Sequence, residues 1–325
     1  MTPCFARSAG LDMMTHGRRS VFVDAGVRFH SHNGEDAILD WIEPEGAVMQ
    51  TERRLTGVRG ILLVAMLCAS ILGCSGRGPR GVDRFYGIVN SPAADGKLVA
   101  IDVRDQHDAT ITPIGTLGTF GCTSVALSKE GTLYSVCGPG GFADTKHKFG
   151  CMTPGPQQLA TIDPKTGHAT MFGVPVDKLN VMALEFAPDG TLYAVGDANP
   201  ASPTFNTLYT VDPKTGAFTA VGSTGVPAPD FFMDLAFDNR GTMYAASMFS
   251  LFTIDRKTGT ATKVVDFVGG GGVMGLGYNA KQDKLYATDY NDPRSALYVV
   301  DAKTGFLTPM ASIGYPLSHG LVALP

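Results

Sequence analysis

Tryptophan is almost missing from this chain: the only one among its 325 residues is Trp41. Charge is scarce too, at 17% of residues and a formal net of −4, with no basic stretch or tail. Nucleic acid is therefore not an expected partner, because a phosphate backbone is met by clustered cationic residues. Glutamate nearly disappears in the second part of the chain. From Cys74 onward, 20 of the 22 acidic residues are Asp, and only Glu130 and Glu185 are Glu. Asp favours turns and Glu favours helices, so this composition reads as strands and turns. The uncharged run ILLVAMLCASIL at 61–72 has 12 residues, short of the ~20 that span a bilayer as a helix. No P-loop, nucleophile elbow or CxxC pair occurs after residue 73, and the four glycines at 269–272 precede neither a helix nor a Lys-Ser/Thr pair.

The apolar run has the flanks of an export signal. Arg53, Arg54 and Arg59 lie just upstream, and Ile71-Leu72-Gly73-Cys74 lies just downstream. This junction resembles the lipobox of bacterial lipoproteins, which implies a diacylated Cys74 as the mature N-terminus. Leu72 stands where that pattern usually has a small residue, so ordinary cleavage and secretion are the rival outcome. A signal of this kind belongs at the start of a protein, and a start at Met49 gives one of normal layout. The expected organisation is an N-terminal extension outside the folded protein (1–48), a lipoprotein-type signal peptide (49–73), a short linker (74–80) and one large domain (81–325).

That domain is repetitive. LATIDPKTGHAT, LYTVDPKTGAFT, LFTIDRKTGTAT and LYVVDAKTGFLT begin at Leu159, Leu208, Leu251 and Leu297, and LVAIDVRDQHDATIT at Leu98 is a degenerate fifth copy. A second motif precedes each of the four, as in LEFAPDGTLYAV and LAFDNRGTMYAA. The strand-end aspartates Asp102, Asp163, Asp212, Asp255 and Asp301 are spaced by 61, 49, 43 and 46 residues. Units of 40 to 50 residues with four strands each are the mark of a β-propeller. The third unit reads as strand A at 183–188, B at 191–195, C at 208–212 and D at 217–221. Residues 84–90 read as a B strand with no A strand before it, and 320–324 read as the missing strand. Pairing them closes the ring and removes a sheet edge. The prediction is an all-β, five-bladed propeller.

The LY-x-x-D-x-x-TG repeats resemble those of the YVTN-type and quinoprotein-dehydrogenase-like bacterial propellers over residues 81–325. The resemblance implies fold and not activity, since such repeats serve many chemistries. Quinone-binding members carry a Trp motif in each blade, and the lack of Trp here argues against that cofactor. No cofactor is predicted.

A–B and C–D turns are short, whereas the B–C and D–A connections at 138–158, 196–207, 222–232 and 289–296 are long. Binding groups collect on long loops held by a rigid scaffold, so the long-loop end is the expected binding face. Phe205, Phe231, Phe232, Tyr290, Asn291, Arg294 and Tyr315 are its candidate residues, a mix that suits a protein, peptide or glycan. Aligning the inner strands places Thr123, Met182, Met233, Met274 and His319 at the channel mouth. The next column is small except for Asp234, and the one two further on is small except for Glu185. An axial carboxylate needs a cation or hydrogen-bond donors. One reading is a metal site, with calcium possible, built from Glu185, Asp234 and His319 in a lactonase-like hydrolase or lyase. The other is satisfaction by backbone N–H groups.

Cys122, Cys137 and Cys151 all fall in one unit, and one disulfide is expected in an oxidising compartment. Hairpin register brings Cys137 beside Cys122, but Cys137–Cys151 would pin the long loop and is the favoured pairing. The functional expectation is an extracytoplasmic, lipid-anchored binding scaffold, with the metal-dependent enzyme as its alternative.

Overall fold

The structure, a computed structural model, describes the strands at 22–23, 27–32 and 36–41, and residues 82–89, 96–105, 108–138, 156–177, 179–196, 202–228, 230–290, 295–315 and 318–325. Strands β1 (Phe22–Val23), β2 (Val27–His32) and β3 (Asp36–Trp41) pair antiparallel in a unit of their own, Ala6–Pro79, in a stretch for which the sequence predicts no folded element. The signal segment, the linker and Cys74 lie outside the described residues.

Every other described strand belongs to a five-bladed β-propeller, and the described residues contain no helix. The blade that closes the ring holds β4 (Asp83–Val89), β5 (Lys97–Asp105) and β6 (Asp108–Thr116). The second holds β7 (Ala126–Leu127), β8 (Leu133–Cys137), β9 (Gln157–Ile162) and β10 (Ala169–Val176). The third runs from β11 (Ala183–Phe186) through β12 (Leu192–Gly196) and β13 (Thr207–Val211) to β14 (Phe218–Ser223). In the fourth are β15 (Phe232–Phe237), β16 (Met243–Ser247), β17 (Ser250–Ile254) and β18 (Ala261–Asp266). The fifth has β19 (Gly272–Asn279), β20 (Lys284–Tyr290), β21 (Ala296–Val300) and β22 (Leu307–Ser312). The last strand, β23 (Ser318–Ala323), returns to the closing blade and pairs antiparallel with β4, with Val322 opposite Tyr86. The predicted closure is therefore present.

The repeated Asp-x-Lys-Thr-Gly motif is a clamp between blades. Its Asp caps its own turn: Asp212 Oδ1 accepts the Lys214 N–H at 2.8 Å and Oδ2 accepts the Thr215 hydroxyl at 2.8 Å. Its Gly then docks on the outer strand of the blade before. Gly259 takes a φ of 83°, and a Cβ on the facing Gly222 would lie 2.2 Å from Thr258 O. Only glycine allows both the turn and that approach. Backbone bonds seal the contact, from Ala169 N to Leu117 O (2.9 Å), Ala261 N to Thr224 O (2.9 Å) and Leu307 N to Val268 O (3.0 Å).

Apolar side chains that alternate along the strands fill the wedges between blades. Tyr193, Val195 and Leu208 of the third blade pack on Phe232, Leu235 and Phe237 of the fourth. The second blade has the shortest inner strand, β7, and a covalent bond extends the pairing. Cys122 and Cys137 form a disulfide across a Cα separation of 4.0 Å, beside the Thr123 N–H to Val136 O bond of 3.2 Å. This corrects the favoured Cys137–Cys151 pairing. Residues before β7 run alongside β8, so Cys122 already faces Cys137, while Cys151 lies outside the described residues.

Candidate functional site

Antiparallel order puts the short A–B and C–D turns at one end of the ring and the long loops at the other. The axis between them is filled in layers by the inner strands. Three of these, β15, β19 and β23, bulge at the same level, between Phe232 and Asp234, Val273 and Gly275, and His319 and Leu321. A bulge lets two successive residues face one side. Met233 and Asp234 thus both point to the axis.

Among the described residues a methionine plug fills the axis at the long-loop end. Met182, Met233 and Met274 form one buried cluster, with Phe231, Met248 and Tyr290 half-buried against it. His319 is fully buried, and loss of water lowers its imidazole pKa to about 3, so the ring is neutral.

One layer below is a hydrogen-bond knot that joins all five blades. Asp234 Oδ2 accepts the N–H of Leu276 at 2.8 Å and of Leu321 at 3.1 Å. Ser124 Oγ lies 3.1 Å from Asp234 Oδ1, accepts the Leu184 N–H at 3.1 Å and lies 3.2 Å from Leu184 O. A hydroxyl has one proton, yet Ser124 faces two acceptors if Asp234 is ionised. A protonated Asp234 donates to Ser124, which then donates to Leu184 O, and every partner is satisfied. Desolvation is the main cause that pushes the Asp234 carboxyl up to about 8, against the bonds from Leu276, Leu235, Leu321 and Ser124. Geometry and burial both favour the neutral acid at pH 7. Of the two readings of this carboxyl, the structure contains the one satisfied by backbone N–H groups.

Glu185 sits nearer the short-turn end and behaves differently. Its Oε1 accepts the N–H of the adjacent Phe186 at 2.8 Å, and no described residue bonds its second oxygen. Burial, and then repulsion by Asp234, raise its carboxyl well above the ordinary value. The carboxyl lines a funnel of about 630 Å³ that opens among the short turns, with Ala236 and Val322 at its level and Tyr86, Phe186 and Tyr278 on its wall.

The proposed metal trio is not brought together. Glu185, Asp234 and His319 form no metal-holding group, and neither do any three or more His, Cys, Asp or Glu among the described residues.

The predicted aromatic face is partly assembled. Phe205 and Phe231 are half-buried, on two loops joined by Asn206, whose Nδ2 donates to Asp230 O (2.8 Å) and whose Oδ1 accepts the Phe232 N–H (3.3 Å). Phe232 does not belong to the face. As the first residue of β15 it is 1% exposed and packs edge-to-face on Phe252, with ring centroids 5.2 Å apart. Tyr315 packs beside the closing blade, with the Lys97 ammonium 5.8 Å from its ring centroid. Asn291 and Arg294 lie outside the described residues. Sequence reading missed Asn206 and Asp289 as loop anchors. Asp289 is fully buried and accepts from Gly271 N (2.9 Å), Ala296 N (2.7 Å) and Tyr298 OH (2.9 Å). The sequence signal for the funnel was the column of small residues around Glu185.

No family model matches the sequence, and no curated protein does. Solved structures of similar fold include TolB from Acinetobacter baumannii, at 10% identity, covering 92% of this chain and 82% of that one with a TM-score of 0.43. A nidogen/laminin complex aligns at 10% identity over 75% and 98% of the two chains, TM-score 0.43. A gluconolactonase from Xanthomonas campestris aligns at 17% identity over 59% and 65%, TM-score 0.38. At such identities and scores the likeness concerns the propeller fold and carries nothing about substrate or partner.

Proposed function

We propose that this chain is an extracytoplasmic binding propeller, held to a membrane by a lipid on Cys74, that captures a protein, peptide or glycan with its long-loop face. One observation carries the reading: Phe231 and Tyr290 rest half-exposed on a methionine plug, on loops whose anchors Asn206 and Asp289 are buried. Thioethers adapt to varied shapes, and aromatic rings supply contact area at little entropic cost. Preset loops reduce the ordering cost of binding. The acid at the centre of the ring, Asp234, is engaged by its own fold, which leaves the metal-dependent alternative without a ligand set among the described residues. The Cys122–Cys137 disulfide supports the compartment, since such bonds persist where thiols are oxidised. The YVTN-type resemblance and the lipoprotein-type leader belong to the same reading.

Two experiments test it. Mass spectrometry of the mature protein is expected to find a diacylated N-terminal Cys74; an unmodified N-terminus would replace anchoring with secretion. In cells that export the protein, crosslinking to its partner is expected to vanish in the Phe205→Ala/Phe231→Ala/Tyr290→Ala variant. Unchanged crosslinking would remove this face from the account.

A further inference from the structure

We propose a second site on the opposite face: the axial funnel binds a compact organic ammonium ion through Glu185. Burying a carboxyl is unfavourable unless partners offset the lost water. Asp234 has such partners in three other blades, but Glu185 has a single bond to its own neighbour and links no blades. Its position does not require an acid either, since the same level of the ring holds Ala236 and Val322. The described residues thus give Glu185 no structural task, while one of its oxygens has no hydrogen-bond donor. A buried acid of this kind in a cleft marks a ligand site.

The surroundings select the ligand. An anion gains no charge attraction from Glu185, which is neutral when protonated and repels it when ionised. A divalent metal wants several oxygen or nitrogen ligands, and no group of three acidic, His or Cys residues is present among the described residues. A neutral apolar molecule fits the wall but leaves the acid as it was. An alkylammonium brings N–H donors and a positive charge to the free oxygen, and its carbon chain lies along Tyr86, Phe186 and Tyr278. Aromatic walls favour cations. A cavity of about 630 Å³ takes a molecule of that size and not a folded domain.

Binding is coupled to a proton. Burial raises the Glu185 carboxyl well above its ordinary value, so pairing with the ammonium draws off a proton: Glu185–COOH plus R–NH₃⁺ gives the ion pair and one H⁺ released to solvent. Other titratable groups facing the funnel are Tyr86 from β4, Lys129 from the β7–β8 turn, Asp238 next to β15, and Tyr278 from β19. Asp238 is paired with Arg240, and Tyr278 donates to Asp283. The terminal Pro325 is at the rim, and β23 adds only apolar side chains. Below the pKa of Glu185, affinity for the ammonium therefore rises with pH, by up to about tenfold per unit.

The test is a titration of the exported protein with butylammonium and, as its uncharged match, butanol, followed by NMR at pH 6 and pH 8. Butylammonium is expected to bind, more tightly at pH 8, and at least about tenfold more tightly than butanol. Glu185→Gln keeps the acceptor for Phe186 N–H, and it is expected to erase both the pH effect and the preference over butanol. Tyr278→Leu is expected to weaken butylammonium severalfold and leave the pH effect in place. Equal binding of butanol, pH-independent binding of butylammonium, or no saturable binding by the wild-type chain would each overturn the proposal, whether or not the Gln variant folds.

Discussion

The two axial carboxyls, one layer apart, show how a single fold uses the same chemical group in opposite ways. Asp234 is surrounded by donors from other blades, and its burial holds the ring together. Glu185 is surrounded by apolar walls and an opening, and its burial holds nothing together. The difference lies in the backbone beneath each. Bulges in three inner strands turn N–H groups toward Asp234, whereas β11 continues in regular register through Glu185, opposite Tyr193.

Substitutions can break that contrast. Asp234→Ala strands the N–H groups of Leu276 and Leu321 in a dry core, and it is expected to cost on the order of 3–5 kcal/mol in urea unfolding. Cys122→Ser opens the covalent tie of the second blade and is expected to cost about 3 kcal/mol, measured the same way. Asn206→Ala frees the two loops that carry Phe205 and Phe231. About 1–3 kcal/mol is expected there, with faster amide exchange confined to those loops. Glu185→Gln, by contrast, is expected to change stability by less than about 1 kcal/mol, because the Phe186 N–H keeps its acceptor. The smallest effect is expected at Asp212, an exposed cap whose carboxyl is held below its usual value by the Lys214 N–H and the Thr215 hydroxyl. Its contribution is present above the ordinary Asp range and lost as pH falls below it, so Asp212→Ala should slightly flatten the acid limb of the stability curve.

Much of this molecule is legible in the sequence. The Lys-Thr-Gly turns and the split blade follow from local chemistry, because a turn that needs a positive φ must show Gly and a lone B strand must find its A strand. Phe232 was not legible. Period-2 alternation places side chains on faces only in a regular strand, and the bulge at Met233 re-aims the residues on either side of it. The hairpin register already sets Cys137 beside Cys122, and it was the length of the loop holding Cys151 that favoured the other pairing. Which end of the axis opens was hidden for a different reason: it depends on how far methionine side chains from three blades reach into one another, and no single repeat contains that information.

The central claim is that Asp234 is a neutral structural acid at the meeting point of five blades. Its folded pKa of about 8 lies above the ordinary Asp value of 3.8, so the stability it contributes is full below that ordinary value and is lost as pH rises from there through 8. Asn is the permanent form of that neutral group, able to accept from Leu276 and Leu321 and to donate to Ser124. Urea unfolding between pH 4 and pH 9 is therefore expected to show the wild-type chain losing several kcal/mol with rising pH, and Asp234→Asn matching it at pH 4 but staying nearly flat. Two curves that run parallel across that range would contradict the account.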